Sequence, residues 1–191
     1  NQSLSGLSSS DSVIVHDLTT LTFPDWHGAK VSEAYLKAFA RISSSGCQII
    51  SDSDSTTSEL RYHFGISPYR INTIPLYLRK DQSNSPSVTV PSSCDKFFLF
   101  VGSLEKRKNL TGLIRAFERT SLANEGYSLK IVGMDGNGAG EIRELSRKVV
   151  GVELLGFVDE KTLVELYSNC RAFVYPSFWE GFGMPLLEAM A

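Results

Sequence analysis

The sequence predicts an α/β protein of two domains, each built on a parallel β-sheet. Short apolar runs rich in Val, Ile and Phe alternate along the chain with longer stretches in which apolar residues recur at helical spacing, the pattern of β-α-β units. A segment rich in Ser, Asn, Thr and Pro separates two such halves and has the composition of a linker. We therefore predict a first domain over residues 1–80, a linker over 81–95 and a second domain over 96–191.

The first domain is predicted to contain three strands separated by two helices. The longer helix carries Tyr35, Leu36, Phe39 and Ile42 on one face, and Ser55 would cap the shorter one. The strands are predicted over residues 13–18, 48–51 and 71–76, and the helices over 31–42 and 56–64.

The second domain repeats this alternation with four strands and four helices. The strands are predicted over residues 97–102, 128–132, 152–155 and 172–175. The helices are predicted over residues 110–120, 141–149, 161–168 and from 185 onward.

The composition excludes several classes of protein. The chain of 191 residues has 19 Lys and Arg against 21 Asp and Glu, so a net charge of −2 offers no surface for nucleic acid. Cys47, Cys94 and Cys170 lie too far apart to indicate a zinc site or a disulfide framework. Apolar runs such as 97–101 and 186–191 are too short to span a membrane. We expect a cytoplasmic protein, and a peripheral association with the inner face of the membrane remains compatible with the sequence.

The strongest pattern for function lies where the last predicted strand ends. Glu180 and Glu188 flank a loop with Gly181 and Gly183, and Pro185 then suits the first turn of a helix. In open α/β sheets ligands bind at such strand ends. Each carboxylate can accept hydrogen bonds from a pair of neighbouring hydroxyls, as found on ribose and on hexoses. Two solvated glutamates are the alternative, but they would leave the glycines and the proline between them unexplained.

A basic turn follows the first predicted strand of the second domain. Gly102 and Ser103 form a tight turn, and Lys106, Arg107 and Lys108 lie beside the next helix start. Three cations there indicate an anion site. A solvated basic turn is an equal alternative when this segment is taken alone.

Three other strand ends carry weaker patterns. The glycines of residues 133–138 lack the spacing of a dinucleotide fingerprint. Residues 155–159 could frame a planar base through backbone groups or form a structural turn. His16, beside Asp17, ends a strand where a ligand would be met, although a lone histidine there is more often structural.

Residues 102–109, 155–158 and 180–188 together resemble retaining glycosyltransferase family 4, in which two glutamates are separated by seven residues. The chain around His16 and Ser51 also resembles the end of that family's N-terminal domain. The resemblance implies a GT-B fold of two Rossmann-like parallel-sheet domains. The form of the basic turn over residues 104–109 is common among mannosyltransferase-like members of the family. This chain lacks the family's glycine-rich N-terminal loop and its last strands, so we expect an internal fragment with both domains incomplete and little activity alone.

The resemblance also assigns roles along a bound sugar nucleotide. Lys108, with the turn beside it, would hold the donor diphosphate, and Glu188 would hold the ribose diol. Val158 would lie by the base. Residues expected to line the diphosphate are Gly102, Ser103, Arg107 and Lys108. Residues expected at the transferred sugar are Glu180, the backbone of Phe182, Gly183 and Met184, and His16.

The chemistry implied by the resemblance needs no cofactor or metal beyond a nucleotide-sugar donor such as GDP-mannose. The leaving diphosphate accepts the acceptor's proton on the same face of the sugar, so cations matter more than bases. We expect Lys108, Glu180 and His16 to be catalytic, and the acceptor to be a glycan or a lipid-linked sugar. The alternatives are a non-catalytic nucleotide-sugar-binding domain and, less favoured by the glycine spacing, a Rossmann-type oxidoreductase.

Overall fold

Two parallel sheets are present in a computed structural model, which describes residues 6–78 and 95–191. The chain divides into two compact units. The first comprises Asn1–Tyr77 with Trp179–Gly183, and the second comprises Leu78–Phe178 with Met184–Ala191. The predicted linker, 81–95, lies outside the described residues except for Asp95. The predicted second domain includes Trp179–Gly183, whereas the structure groups this segment with the first unit.

The sheet of the first unit has three parallel strands in the order β1-β2-β3. They span Ser12–Val15 (β1), Gln48–Ser51 (β2) and Ile71–Thr73 (β3). The register pairs Val15 of β1 with Ser51 of β2, so these two strands end side by side. The strand predicted to reach residue 18 ends at Val15, because Asp17 accepts hydrogen bonds from Thr19 and turns the chain.

The described helices of this unit are α1 (Thr19–Thr22), α2 (Ala29–Ser45) and α3 (Asp54–Phe64), with short 3-10 turns at Pro24–Trp26 and Pro68–Arg70. The cap of α3 is Ser53, whose side chain accepts the Thr56 N–H, and not Ser55 as predicted. A capping residue needs an extended backbone, which Ser53 has, whereas Ser55 is already helical. The buried core of the unit consists of Val15, Leu18, Phe39, Ile42, Cys47, Ile49, Leu60 and Ile66.

The sheet of the second unit has four parallel strands in the order β6-β5-β4-β7. They span Phe97–Val101 (β4), Ser128–Val132 (β5), Val152–Gly156 (β6) and Ala172–Phe173 (β7). Its helices are α4 (Leu110–Glu118), α5 (Ala139–Lys148), α6 (Glu160–Asn169) and α7 (Met184–Met190), and a 3-10 turn spans Lys106–Lys108. The predicted strand over 172–175 pairs only at its first two residues.

Both faces of this second sheet are packed. Phe100 of β4 lies in a cluster with Ile114 of α4 and Ile142 of α5. Its neighbour in sequence, Leu99, lies in a separate cluster with Leu166 of α6. Successive strand residues point to opposite faces, so β4 is buried on both sides, as in a doubly wound sheet.

Strand order reverses at β4 in the second unit. From β4 the chain adds β5 and β6 on one side, then returns to place β7 on the other. Ligands of open α/β sheets bind beyond the carboxyl ends of the strands at such a reversal. The basic turn follows β4 directly, and Tyr175 lies two residues beyond β7.

No helix in the described part of the chain is both long enough and apolar enough to cross a membrane.

Candidate functional site

The turn after β4 is held tightly against the end of β5. The Gly102 N–H donates to the Val132 carbonyl at 2.9 Å. Gly133 lies so close that a Cβ there would overlap the Gly102 carbonyl oxygen. Gly133 also has a φ of 149°, which favours glycine. The two strand ends therefore present backbone, not side chains, to the space beyond the sheet.

Lys108 is the most deeply buried charged residue of this turn, with 6% of its surface exposed. Its Nζ donates to the Tyr175 hydroxyl at 3.1 Å and lies 5.2 Å from the centre of that ring. Burying an ammonium is unfavourable unless it is hydrogen-bonded or paired. A cation fixed in this way at the end of β4 is suited to a phosphate oxygen.

Ser103 and Arg107 both contact the carboxylate of Glu105. The Ser103 hydroxyl donates to one Glu105 oxygen at 2.8 Å, and Arg107 Nε lies 3.2 Å from the other. Glu105 therefore offsets part of the Arg107 charge and holds the turn together.

Glu188 lies on α7 and is fixed by a neighbour on α6. The Tyr167 hydroxyl donates to Glu188 Oε2 at 2.8 Å. Burial of the phenol, and then its hydrogen bond to Glu188 and the charge of that carboxylate, raise the pKa of Tyr167 far above its ordinary value. Met184 begins α7. The Val158 side chain is partly buried against the apolar cluster under α6.

In the first unit, the loop Trp179–Gly183 packs on the end of β1. A Cβ at Gly181 would overlap the His16 carbonyl oxygen, so only glycine permits this approach. The Trp179 ring lies 5.6 Å from that of Phe23. Glu180, Phe182 and Gly183, three of the residues predicted at the sugar, thus belong to the same unit as His16.

His16 pairs with Asp52, a residue that no predicted role includes. His16 Nδ1 lies 2.9 Å from Asp52 Oδ2, and the side chains are 68% and 5% exposed. The other Asp52 oxygen, Oδ1, is buried and has no hydrogen-bond partner among the residues that the structure describes. Asp52 therefore fixes the imidazole through Nδ1, while most of the ring surface stays exposed. The adjoining Asp17 instead serves the turn into α1.

The structure thus assembles the predicted residues in two sets. The first unit brings together His16, Glu180, Phe182 and Gly183, and the second contains Gly102, Ser103, Arg107, Lys108, Val158, Met184 and Glu188. Among the described residues no three His, Cys, Asp or Glu side chains form a group that could hold a metal ion.

The sequence analysis did not identify the side chains that hold the predicted site residues in place. Asp52 could have been found, since it follows β2 directly, as His16 follows the neighbouring β1. Tyr175 follows β7 in the same way. Tyr167 and Glu105 had no comparable indication, because their roles depend on side-chain directions in three dimensions.

Residues 81–191 match the model of the family described as Glycosyl transferases group 1. The chain is also 30% identical over 191 aligned residues to an O-antigen chain mannosyltransferase B of Escherichia coli. That alignment covers 92% of this chain and 49% of the relative. The chain therefore spans about half the length of this curated relative.

Several solved structures share the fold. WaaG, a glycosyltransferase involved in lipopolysaccharide biosynthesis, superposes with a TM-score of 0.71 at 18% identity, over 96% of this chain and 55% of WaaG. HepE of Anabaena, solved with UDP and glucose, gives a TM-score of 0.68 at 18% identity, over 94% of this chain and 50% of HepE. The predicted GT-B type of α/β fold is confirmed. With the family match over more than half of its residues, the chain belongs to the glycosyl transferases of group 1.

Proposed function

We propose that the protein transfers a hexose, specifically mannose, from a nucleotide-sugar donor such as GDP-mannose to a glycan or lipid-linked acceptor with retention of configuration. Family membership supports the transferase class, and the name of the Escherichia coli relative supports mannose. The crystal structure of HepE in complex with UDP and glucose supports a sugar nucleotide as donor. The observation that carries the proposal is the buried ammonium of Lys108 at the end of β4.

The second unit is proposed to bind the nucleoside diphosphate. Lys108 meets the diphosphate, with the backbone of Gly102 and Ser103 beside it and Arg107 in support. An ammonium held in a buried position interacts with phosphate more strongly than one in water, because the surrounding dielectric is lower. Glu188 accepts the ribose hydroxyls, and the backbone at Val158 faces the base.

The loop Trp179–Gly183 and His16 are proposed to hold the transferred sugar. Glu180 accepts sugar hydroxyls, the backbone from Phe182 to Met184 contacts the same ring, and His16 presents Nε2 to it. Asp52 orients that imidazole from behind. These contacts place the anomeric carbon for attack, which is a contribution of positioning.

In the proposed reaction the bond between the anomeric carbon and the diphosphate oxygen breaks, and a bond to the acceptor oxygen forms on the same face. The acceptor proton passes to the departing diphosphate. Lys108 stabilises the negative charge that develops there, which is electrostatic catalysis by a preorganised group. This scheme requires neither a metal ion nor a cofactor.

Titration calorimetry of the full-length protein with GDP, UDP and ADP tests the proposal. We expect at least one of them to bind, and Lys108→Met to weaken that binding and to lower kcat/KM by roughly 100-fold or more. Lys148→Met is the matched control, because Lys148 is exposed and pairs with Glu144 on the same helix. Failure of all three nucleotides to bind would contradict the proposal. Binding without turnover of any sugar nucleotide would instead identify a non-catalytic binding protein.

A further inference from the structure

Tyr167 holds the carboxylate that is proposed to meet the ribose. The two residues lie 21 positions apart, Tyr167 on α6 and Glu188 on α7, and the phenol donates to Oε2 at 2.8 Å. The carboxylate has two oxygens and about four acceptor positions. One position is therefore filled from within the protein, and the others remain for a diol.

The phenol is itself firmly placed. Its ring lies 5.5 Å from that of Phe173 on β7, with the planes tilted by 55°. It belongs to the apolar cluster that joins α6 to the sheet through Leu99 and Leu166. Its raised pKa keeps the hydroxyl protonated, so it acts as a donor toward the carboxylate.

The helix that carries Glu188 is short, with seven residues. An unrestrained Glu side chain loses rotamer freedom when it is fixed. A carboxylate held by Tyr167 before the ligand arrives has already lost part of that freedom.

We propose that Tyr167 is a positioning residue that sets the preference for ribose over deoxyribose in the donor nucleotide, by fixing Glu188 in the orientation that accepts both ribose hydroxyls. This inference rests on the proposed function, since it assumes that Glu188 binds the ribose of a nucleoside diphosphate. It predicts that loss of the Tyr167 hydroxyl weakens only the contribution of the ribose hydroxyls to nucleotide affinity. A tyrosine that served packing alone would affect every nucleotide equally.

Titration calorimetry of the full-length protein provides the test. The probes are GDP, UDP and ADP, each compared with its 2′,3′-dideoxy form, and the quantity of interest is the ratio of the two dissociation constants. For the nucleotide that binds, we expect Tyr167→Phe to reduce this ratio roughly 5- to 10-fold, mainly by weakening the ribose form. Tyr69→Phe is the matched control, because Tyr69 is 92% exposed, and it should leave the ratio unchanged.

Glu188→Gln tests the same hydrogen bond from the other side and leaves the packing of Tyr167 intact. We expect it to reduce the ratio as well, and Tyr167→Phe should have no further effect on the ratio in that background. Thermal unfolding of each variant separates stability from selectivity.

Two results would overturn the inference. If a nucleotide binds but Tyr167→Phe leaves its ratio unchanged, or weakens ribose and dideoxy forms equally, Tyr167 does not act through Glu188 and the proposed function stands without it. If none of the three nucleotides binds the unsubstituted protein, the proposed function fails and this inference fails with it.

Discussion

At the scale of single residues, the side chains that are predicted to bind the donor are held in place by neighbours that only the structure identifies. Lys108 rests against Tyr175, and His16 against Asp52. The sequence was enough to predict that Lys108 and His16 lie at or beyond the ends of strands, because Lys108 follows a predicted strand and His16 is near the end of one. Which neighbour fixes each of them could not, since Lys108 and Tyr175 are 67 positions apart and meet only through the pairing of β4 with β7.

Removing the Tyr175 hydroxyl should weaken donor binding while leaving the fold intact. Tyr175→Phe keeps the ring stacked on Phe100 but deletes the acceptor 3.1 Å from Lys108 Nζ. The ammonium then has one fewer restraint, so we expect the KM for the donor to rise roughly 3- to 10-fold. Steady-state kinetics measures this, with Tyr62→Phe, an exposed tyrosine of α3, as control. An unchanged KM would show that other contacts suffice to place Lys108.

Freeing His16 from Asp52 should lower turnover. Asp52→Asn keeps the size of the side chain but removes the negative charge that fixes Nδ1, and we expect kcat to fall roughly 10-fold or more while donor KM changes little. His16→Ala should have an effect at least as large, and the two together no more than His16→Ala alone. Additive losses in the double variant would mean that Asp52 acts independently of His16.

At the scale of elements, strands are predicted better than the segments between them. The strand Phe97–Val101 lies within its predicted range because five consecutive apolar residues suit a strand buried on both faces. The helix Thr19–Thr22 and the 3-10 turns were missed, because three or four residues are too few to show a helical period. The α3 cap was misplaced by two residues, since the two flanking serines are alike in sequence.

The close approach of β4 and β5 makes Gly133 sensitive to any side chain. In Gly133→Ala the new Cβ would overlap the Gly102 carbonyl, and the positive φ is unfavourable as well. We expect the free energy of unfolding to fall by roughly 1–3 kcal/mol, measured by urea denaturation of the full-length protein. Gly140→Ala is the control, since Gly140 lies in α5 with open space around its Cβ position and should stabilise by about 0.5–1 kcal/mol. Equal stabilities for the two variants would contradict the geometry of this turn.

At the scale of the whole molecule, the order of strands and helices predicts two parallel-sheet units, and the family match supplies their identity. The assignment of Trp179–Gly183 to the first unit was beyond sequence reasoning. It depends on Gly181 meeting the backbone of His16, a contact between residues on either side of the predicted linker. The spacing of Glu180 and Glu188 is visible in the sequence, but the structure groups these two residues with different units.

The most direct test of the central claim is a proton NMR time course of the full-length protein with GDP-mannose, in which transfer to water replaces the unknown acceptor. The account predicts that the donor, whose sugar is α-linked, is consumed slowly and that α-mannose is the first anomer released. Lys108→Met should suppress this release and Lys148→Met should not. The account would be contradicted if the β-anomer were released first, or if neither GDP-mannose nor any UDP- or ADP-sugar were consumed.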